Sequence, residues 1–267
     1  MIDFGYKEKG RRNVAKLKSK AWIWGHPANS LVGCAAIPEG NATDPVEGMK
    51  QLNAENIFWI HFGRGPENRR ESAMRMDATC QKFGYRLMPN RSIDQILAEH
   101  AEFSHLSVAA YDDFFCEEWP QNNYTVHPAA AVREERRRLN EAGVELWCVH
   151  YERHIEQDIS EYLDAFDGFT FWFWSQQPPE AYESTLAKFI ERTPKKRRML
   201  GIYLYDFGRS CPADPDLVER ELERAEELIR NGVIEGFILH TNAVADLGYE
   251  GYDRAVAWMK AHADDEV

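Results

Sequence analysis

The feature that most constrains this chain is a regular alternation of short apolar segments with segments of helical pattern. Apolar segments of strand character occupy residues 21–26, 56–62, 85–88, 106–110, 144–151, 168–174, 198–206 and 236–240. Segments of helical pattern occupy residues 44–49, 67–83, 93–100, 128–142, 155–166, 178–192, 214–231 and 249–262. Such alternation predicts parallel strands joined by helical crossovers.

Eight such units in 267 residues predict an α/β fold of the (β/α)8 TIM barrel type. We expect one domain over residues 1–267, with residues 1–20 as an N-terminal lead-in. A doubly wound open sheet is the competing architecture. It normally carries a glycine-rich phosphate loop after its first strand, and Gly25-His26-Pro27-Ala28 is not such a loop.

Net charge limits the partners that the protein can bind, and the cysteines indicate its cellular compartment. The 32 basic and 44 acidic residues give a net charge of −12, which argues against nucleic acid and anionic membranes as partners. The five cysteines are widely spaced and odd in number, which predicts free thiols in a cytoplasmic protein. We expect neither a signal peptide nor a transmembrane helix. No cofactor is predicted, and the oligomeric state stays open.

Polar and aromatic residues collect where the predicted strands end, which is where barrel enzymes build their sites. Asp112 and Asp113 end the fourth strand, and Asp206 ends the seventh. The fifth strand ends in His150 and Glu152. The other strand ends contribute Trp24, His26, His61, Trp172, Trp174, Tyr205, His240 and Asn242.

Side-chain alternation separates the two aspartates of the fourth strand. If Leu106, Val108 and Ala110 face the helices, then Tyr111 and Asp113 face the barrel axis. Asp113 is therefore the better catalytic candidate, whereas Asp112 could orient a loop, cap the next segment or hold Asp113 in place.

Carboxylates, aromatic rings and neutral hydrogen-bonding groups together favour a carbohydrate substrate. Cleavage of a glycosidic bond uses two carboxyl groups, one as proton donor and the other as nucleophile or base. Asp113 and Asp206 are the predicted pair, with Glu152 as the alternative partner. We expect the remaining strand-end residues to bind the sugar, namely Trp24, His26, His61, Asp112, His150, Trp172, Trp174, Tyr205, His240 and Asn242.

With these strand ends, the chain resembles the (β/α)8 glycoside hydrolases. Many of them carry the acid/base at the end of strand four and the nucleophile at the end of strand seven, which implies Asp113 and Asp206 here. The largest group of these enzymes has glutamates at both positions, so the departure leaves the partner of Asp113 open. The chain also resembles uncharacterised bacterial barrel proteins with an Asp-Asp-Phe-Phe strand end and a Trp-x-Trp strand.

Two other classes of function stay open from the sequence. Strand-end histidines His26, His61, His150 and His240 could hold a divalent metal in a sugar isomerase, an epimerase or a hydrolase. A barrel that binds carbohydrate without cleaving it is the second alternative.

Overall fold

The described part of the chain forms a closed barrel of eight parallel strands, in agreement with the predicted fold. The computed structural model describes residues 15–60, 69–87, 92–117 and 124–267. Each strand pairs with its sequence neighbours, and the last closes on the first through Ile238 and Trp22. Numbered in order, the barrel strands are β1 (Ala21–Gly25), β2 (Asn56–Trp59), β3 (Lys82–Leu87), β4 (Leu106–Tyr111), β5 (Glu145–Tyr151), β6 (Gly168–Trp172), β7 (Arg197–Tyr203) and β8 (Gly236–His240).

Helices surround the barrel, and two of them begin at an aspartate followed by a proline, a sequence pattern typical of a helix start. Asp44 and Asp214 cap their helices through their side chains, each followed by a proline in the first turn. The helices are α1 (Pro45–Gln51), α2 (Arg69–Thr79), α3 (Ile93–Glu102), α4 (Ala129–Glu141), α5 (Pro179–Arg192), α6 (Pro215–Arg230) and α7 (Glu250–His262). The helix predicted at 155–166 is instead a 3-10 turn over Ser160–Ala165.

Large aromatic side chains fill the barrel because glycines on neighbouring strands make room for them. A Cβ atom at Gly201 would lie 2.1 Å from the Trp172 ring, and one at Gly168 would lie 2.5 Å from the Trp147 ring. The Trp172 and Trp24 rings meet edge to face at 5.5 Å between centroids. This packing closes the barrel interior beneath its carboxyl-terminal end.

Two boundaries differ from the sequence prediction. Gly84 directly follows the helix predicted at 67–83, in the position of a helix-ending glycine, but α2 ends at Thr79 and Gly84 lies inside β3. A Cβ atom at position 84 would come within 2.5 Å of the Val108 carbonyl oxygen, so close strand packing requires glycine here. The seventh strand ends at Tyr203 rather than 206, and Tyr205–Asp206 pairs antiparallel with Cys211–Pro212 in a small hairpin.

All five cysteines are free. Within the described residues, no helix combines the length and the apolar character needed to cross a membrane.

Candidate active site at the barrel mouth

The end of β4 turns the other way from the predicted alternation. Tyr111 faces the helices, because its hydroxyl donates to Glu135 of α4 at 2.7 Å and its ring packs against Phe114. Asp112, one residue further, faces the barrel and forms an ion pair with Arg86 of β3. The expectation that Tyr111 faces the axis is therefore wrong, and Asp112 is the aspartate that continues the inward face.

Asp113 reaches the same guanidinium by leaving the strand conformation. Its φ of 53° lies in the left-handed region, where non-glycine residues are uncommon. Its Oδ2 lies 3.2 Å from Arg86 Nη2, and its N–H donates to Asp112 Oδ1 at 2.9 Å. Both adjacent carboxylates thus meet at one buried cation. We call Arg86, Asp112 and Asp113 the acid cluster.

The two carboxylates of the acid cluster have different surroundings. The Tyr151 hydroxyl donates to Asp112 at 3.3 Å, and Arg86 forms an ion pair with it. Burial, reinforced by the neighbouring Asp112 charge, raises the pKa of Asp113 to about 6. Two adjacent carboxyl groups in different surroundings can take different roles in a reaction, with one of them as the proton donor.

Tyr203 of β7 joins the acid cluster to Glu152, which follows β5. Burial raises the pKa of Tyr203 well above its ordinary value, and the charges of Asp112, Asp113 and Glu152 act in the same direction. Glu152 accepts a hydrogen bond from the Trp174 N–H at 3.0 Å, and burial raises its pKa. Of the two predicted partners of Asp113, Glu152 is the one whose charge acts on the same tyrosine as the acid cluster.

The rim above the acid cluster is aromatic and carries an exposed cation. Trp174, which follows β6, lies 6.0 Å from both the Tyr151 and Tyr203 rings, between centroids. The exposed Arg153 guanidinium lies 4.9 Å from the Tyr151 ring centroid and 5.3 Å from that of Trp174. Trp174 is half-buried, so it reaches the surface as a stacking residue would.

Two buried histidines form the opposite wall. The His26 and His240 rings meet edge to face at 5.1 Å between centroids, and His240 lies 4.8 Å from the Tyr203 ring. Burial lowers the pKa of both rings, that of His240 to about 3, and the nearby Arg86 charge contributes to each. His240 Nδ1 is buried and has no hydrogen-bond partner among the described residues.

These residues define the barrel mouth: the acid cluster, Tyr151, Glu152, Arg153, Trp174, Tyr203, His26 and His240. Trp24 and Trp172 lie beneath it as barrel filling, since they are 4% and 2% exposed. Their predicted role as stacking residues does not fit that burial. His61 lies outside the described residues.

Asp206 lies in a different environment from the acid cluster. Its two oxygens accept hydrogen bonds from the Arg209 N–H at 2.9 Å and the Gln176 N–H at 3.1 Å, and it is 1% exposed. Burial raises the pKa of Glu221 on α6 to about 8, and the charge of Asp206 acts in the same direction. The structure therefore does not bring together the predicted pair of Asp113 and Asp206. We infer that Asp206 stabilises the hairpin in which Tyr205–Asp206 pairs with Cys211–Pro212.

Replacement of Asp206 tests that assignment. We expect Asp206→Ala to lower the free energy of unfolding by about 1–3 kcal/mol, because the buried Gln176 N–H and the partly buried Arg209 N–H lose their acceptor. Turnover per folded molecule should stay within about threefold of wild type. Urea unfolding and steady-state kinetics measure the two quantities, and a loss of turnover at full folding would restore Asp206 to the reaction.

Tyr205 and Asn242 also hold loops rather than face the barrel mouth. The Tyr205 hydroxyl donates to the Ala35 carbonyl at 2.7 Å. Asn242 is fully buried, and its amide bonds both the N–H and the C=O of His26 at 2.8 Å, as well as the Thr43 carbonyl. Their side chains are thus occupied by the backbone, and the predicted contact with sugar does not fit.

His150 faces the helices and not the barrel mouth. Its ring stacks on Phe171 of β6 and on Phe189 of α5, at 6.0 Å between centroids in each case. Both ring nitrogens lack hydrogen-bond partners among the described residues. Burial lowers its pKa to about 3, so the ring is neutral in the folded protein at neutral pH. The predicted role of His150 in substrate binding does not fit this position.

His150 should make the protein sensitive to acid. Its pKa is about 3 in the folded state and about 6.5 in the unfolded state, so below pH 6.5 the unfolded chain binds the extra proton and stability falls. We expect His150→Leu to reduce the loss of unfolding free energy between pH 7 and pH 5 by about 1–2 kcal/mol. Urea unfolding at both pH values measures it, and an unchanged loss would contradict the burial of a neutral ring.

The arrangement gives little support to the alternative in which strand-end histidines hold a divalent metal ion. His150 lies apart from the His26–His240 pair, and the Arg86 cation acts on both of those rings. Among the described residues, Glu226, His262 and Asp265 form the cluster whose spacing could suit a metal ion, and they lie at the ends of α6 and α7.

Several residues of the barrel mouth escaped sequence reasoning. Arg86, Tyr151, Arg153 and Tyr203 were not predicted as site residues. A signal for Arg86 was present, because a charged residue within a short buried strand requires an ionic partner.

Comparison with known proteins supports the fold. No protein-family model matches the chain, and no curated protein matches it in sequence. Among solved structures, a chitinase catalytic domain from Ostrinia furnacalis has a TM-score of 0.57 at 9% identity, covering 93% of this chain and 98% of that one. A probable 2-pyrone-4,6-dicarboxylic acid hydrolase from Acinetobacter baumannii has a TM-score of 0.56 at 12% identity, covering 92% of this chain and 93% of that one.

The Bacillus megaterium spore cortex-lytic enzyme has a TM-score of 0.55 at 10% identity, covering 93% of this chain and 75% of that one. At such identities the likeness shows the fold alone. The chain is a (β/α)8 barrel of the kind on which glycosidases and other hydrolases are built.

Proposed function

We propose that this protein is a glycoside hydrolase whose reaction takes place at the barrel mouth. The observation that carries the proposal is the acid cluster, in which two adjacent carboxylates of unequal surroundings share one buried guanidinium. It lies at the carboxyl-terminal end of β4, beneath an aromatic rim. The likeness to a chitinase domain adds support at the level of the fold.

In this proposal Asp113 donates a proton to the leaving oxygen. Its raised pKa of about 6 keeps much of it protonated in mildly acidic solution. Asp112, which pairs with Arg86, stabilises the positive charge that develops on the sugar ring. This proposal assigns the second role, that of nucleophile or of base for the attacking water, to Glu152.

The neutral walls of the mouth suit the body of a sugar. Trp174 offers an apolar ring at the rim, where the C–H face of a sugar can pack. The Tyr203 and His240 rings, which lie 4.8 Å apart between centroids, form the polar part of the wall in this proposal. Binding on these groups would hold the scissile bond beside Asp113.

A screen of 4-nitrophenyl glycosides and of oligosaccharides, with and without EDTA, tests the proposal. We expect release of product from at least one glycoside, unchanged by EDTA. Activity that disappears with EDTA and returns with a divalent ion would favour the metal-dependent alternative. Sugar binding without any product would favour the carbohydrate-binding alternative.

A further inference from the structure

Three side chains that can bind a metal ion meet at the end of the barrel opposite the mouth. Glu226 lies near the end of α6, His262 ends α7, and Asp265 follows it. One ligand atom from each lies within 4.8 Å of the other two. We call these three residues the α6–α7 cluster. The Leu17 N–H donates to the Asp265 carbonyl at 2.9 Å, so the cluster lies beside the start of β1 and away from the acid cluster.

The spacing within the α6–α7 cluster suits a small divalent ion. The His262 Nδ1 and Asp265 Oδ2 atoms are 2.9 Å apart. Neighbouring ligand atoms that bind Zn²⁺ at about 2.1 Å lie roughly 3–3.4 Å from one another. Three atoms within 4.8 Å of one another reach that arrangement by moving inward by less than about 1 Å each. The contact between His262 and Asp265 would then be replaced by bonds from both to the ion.

Neighbouring side chains hold two of the three ligands in place. The Trp258 ring stacks on the His262 ring at 4.5 Å between centroids. Arg230 Nε donates to Glu226 Oε1 at 3.0 Å, and Glu226 Oε2 has no hydrogen-bond partner among the described residues. One oxygen thus fixes the carboxylate, and the other can bind the ion. Outer contacts of this kind commonly orient the ligands of a metal site.

Charge and exposure at the α6–α7 cluster also suit a cation. Its two carboxylates outnumber the Arg230 guanidinium, and α7 ends at His262, where a helix carries partial negative charge. The side chains of Glu226, His262 and Asp265 are 15%, 39% and 42% exposed, so an ion can enter from solvent. One imidazole and two carboxylates form a ligand set that suits Zn²⁺ and similar divalent transition-metal ions.

We infer that the α6–α7 cluster binds a divalent transition-metal ion, with Zn²⁺ as the best match, through Glu226, His262 and Asp265. The ion would join α6 and α7 to the segment after them, in which Glu266 pairs with Lys16 ahead of β1. It would therefore stabilise the closed barrel without entering the reaction at the barrel mouth. This inference does not depend on the proposed function.

Calorimetric titration of the metal-free protein with ZnCl₂ at pH 7 tests the inference. We expect saturable binding of one ion per chain. Glu226→Gln, His262→Gln and Asp265→Asn should each weaken it by about 10-fold or more, because each removes one ligand. With Zn²⁺ at about 100 times its Kd, the midpoint of thermal unfolding should rise by about 3–8 °C, and each variant should lose most of that rise.

Two control variants show whether the binding belongs to this cluster. His105→Gln removes an exposed histidine from the turn before β4, and Cys34→Ser removes an exposed thiol that could bind Zn²⁺ by itself. Both should bind the ion as the wild type does. Lack of saturable binding, an affinity within threefold of wild type in any of the three cluster variants, or loss of binding in Cys34→Ser would overturn the inference.

Discussion

Asp113→Asn is expected to lower the turnover of an unactivated glycoside by about 10²–10⁴-fold, because asparagine cannot donate the proton that the leaving oxygen needs. The binding of substrate should change little, since the amide has nearly the shape of the carboxyl group. Steady-state kinetics with the glycoside identified by the screen measure both effects. Turnover within threefold of wild type would remove Asp113 from the reaction.

The same substitution is expected to stabilise the protein at pH 7. The pKa of Asp113 is raised from 3.8 to about 6 on folding, so ionisation of this carboxyl group opposes the folded state as the pH rises from about 4 to 6. Removal of the charge should add about 1–3 kcal/mol at pH 7 and nothing below about pH 4. Asparagine also tolerates the left-handed backbone at this position.

Asp112→Asn is the matched control for this stabilisation. It removes the carboxylate that pairs with Arg86 and accepts from Tyr151, so it should destabilise the protein at pH 7. Urea unfolding of both variants at pH 4 and pH 7 gives the comparison. Equal effects of the two substitutions would contradict the difference in surroundings that the structure shows.

Arg86→Met is expected to have the largest effect on stability, a loss of about 3–5 kcal/mol at pH 7. The substitution leaves Asp112 and Asp113 side by side, with side chains only 7% and 21% exposed and without their common cation. Methionine is long and flexible enough to fill the space, so the loss reflects charge more than volume. Urea unfolding measures it.

A rescue experiment separates charge from packing at Arg86. The triple variant with Arg86→Met, Asp112→Asn and Asp113→Asn contains no charge in the acid cluster, so it should recover at least half of the lost stability. Arg137→Met on the exposed face of α4 should change the stability little, since its ion pair with Glu134 is exposed to water. No recovery in the triple variant would mean that Arg86 acts through its shape.

The barrel could be predicted because its signals are periodic and local. Apolar strands, helix caps at Asp44 and Asp214, and the regular alternation of units each agree with the fold. Gly84 misled the prediction because a helix-ending glycine and a glycine at a close strand contact look the same in sequence. Only the neighbouring Val108 distinguishes them, and that contact is set by the tertiary structure.

The position of the two aspartates in the fold could be predicted from the sequence, but their contacts could not. Asp112 and Asp113 were correctly placed at the end of the fourth strand, but a left-handed residue at 113 lets both carboxylates reach Arg86. Strict alternation cannot anticipate such a turn. Asp206 and Asn242 look like site residues in the sequence, yet backbone groups from distant loops occupy them.

The most direct test of the central claim compares leaving groups in the Asp113→Asn variant. A glycosyl fluoride departs without protonation, whereas an alkyl glycoside needs a proton donor. If Asp113 is that donor, the variant should cleave the fluoride within about tenfold of the wild-type rate and lose about 10²–10⁴-fold on the alkyl glycoside. Equal losses on both substrates, or no loss on either, would contradict the account.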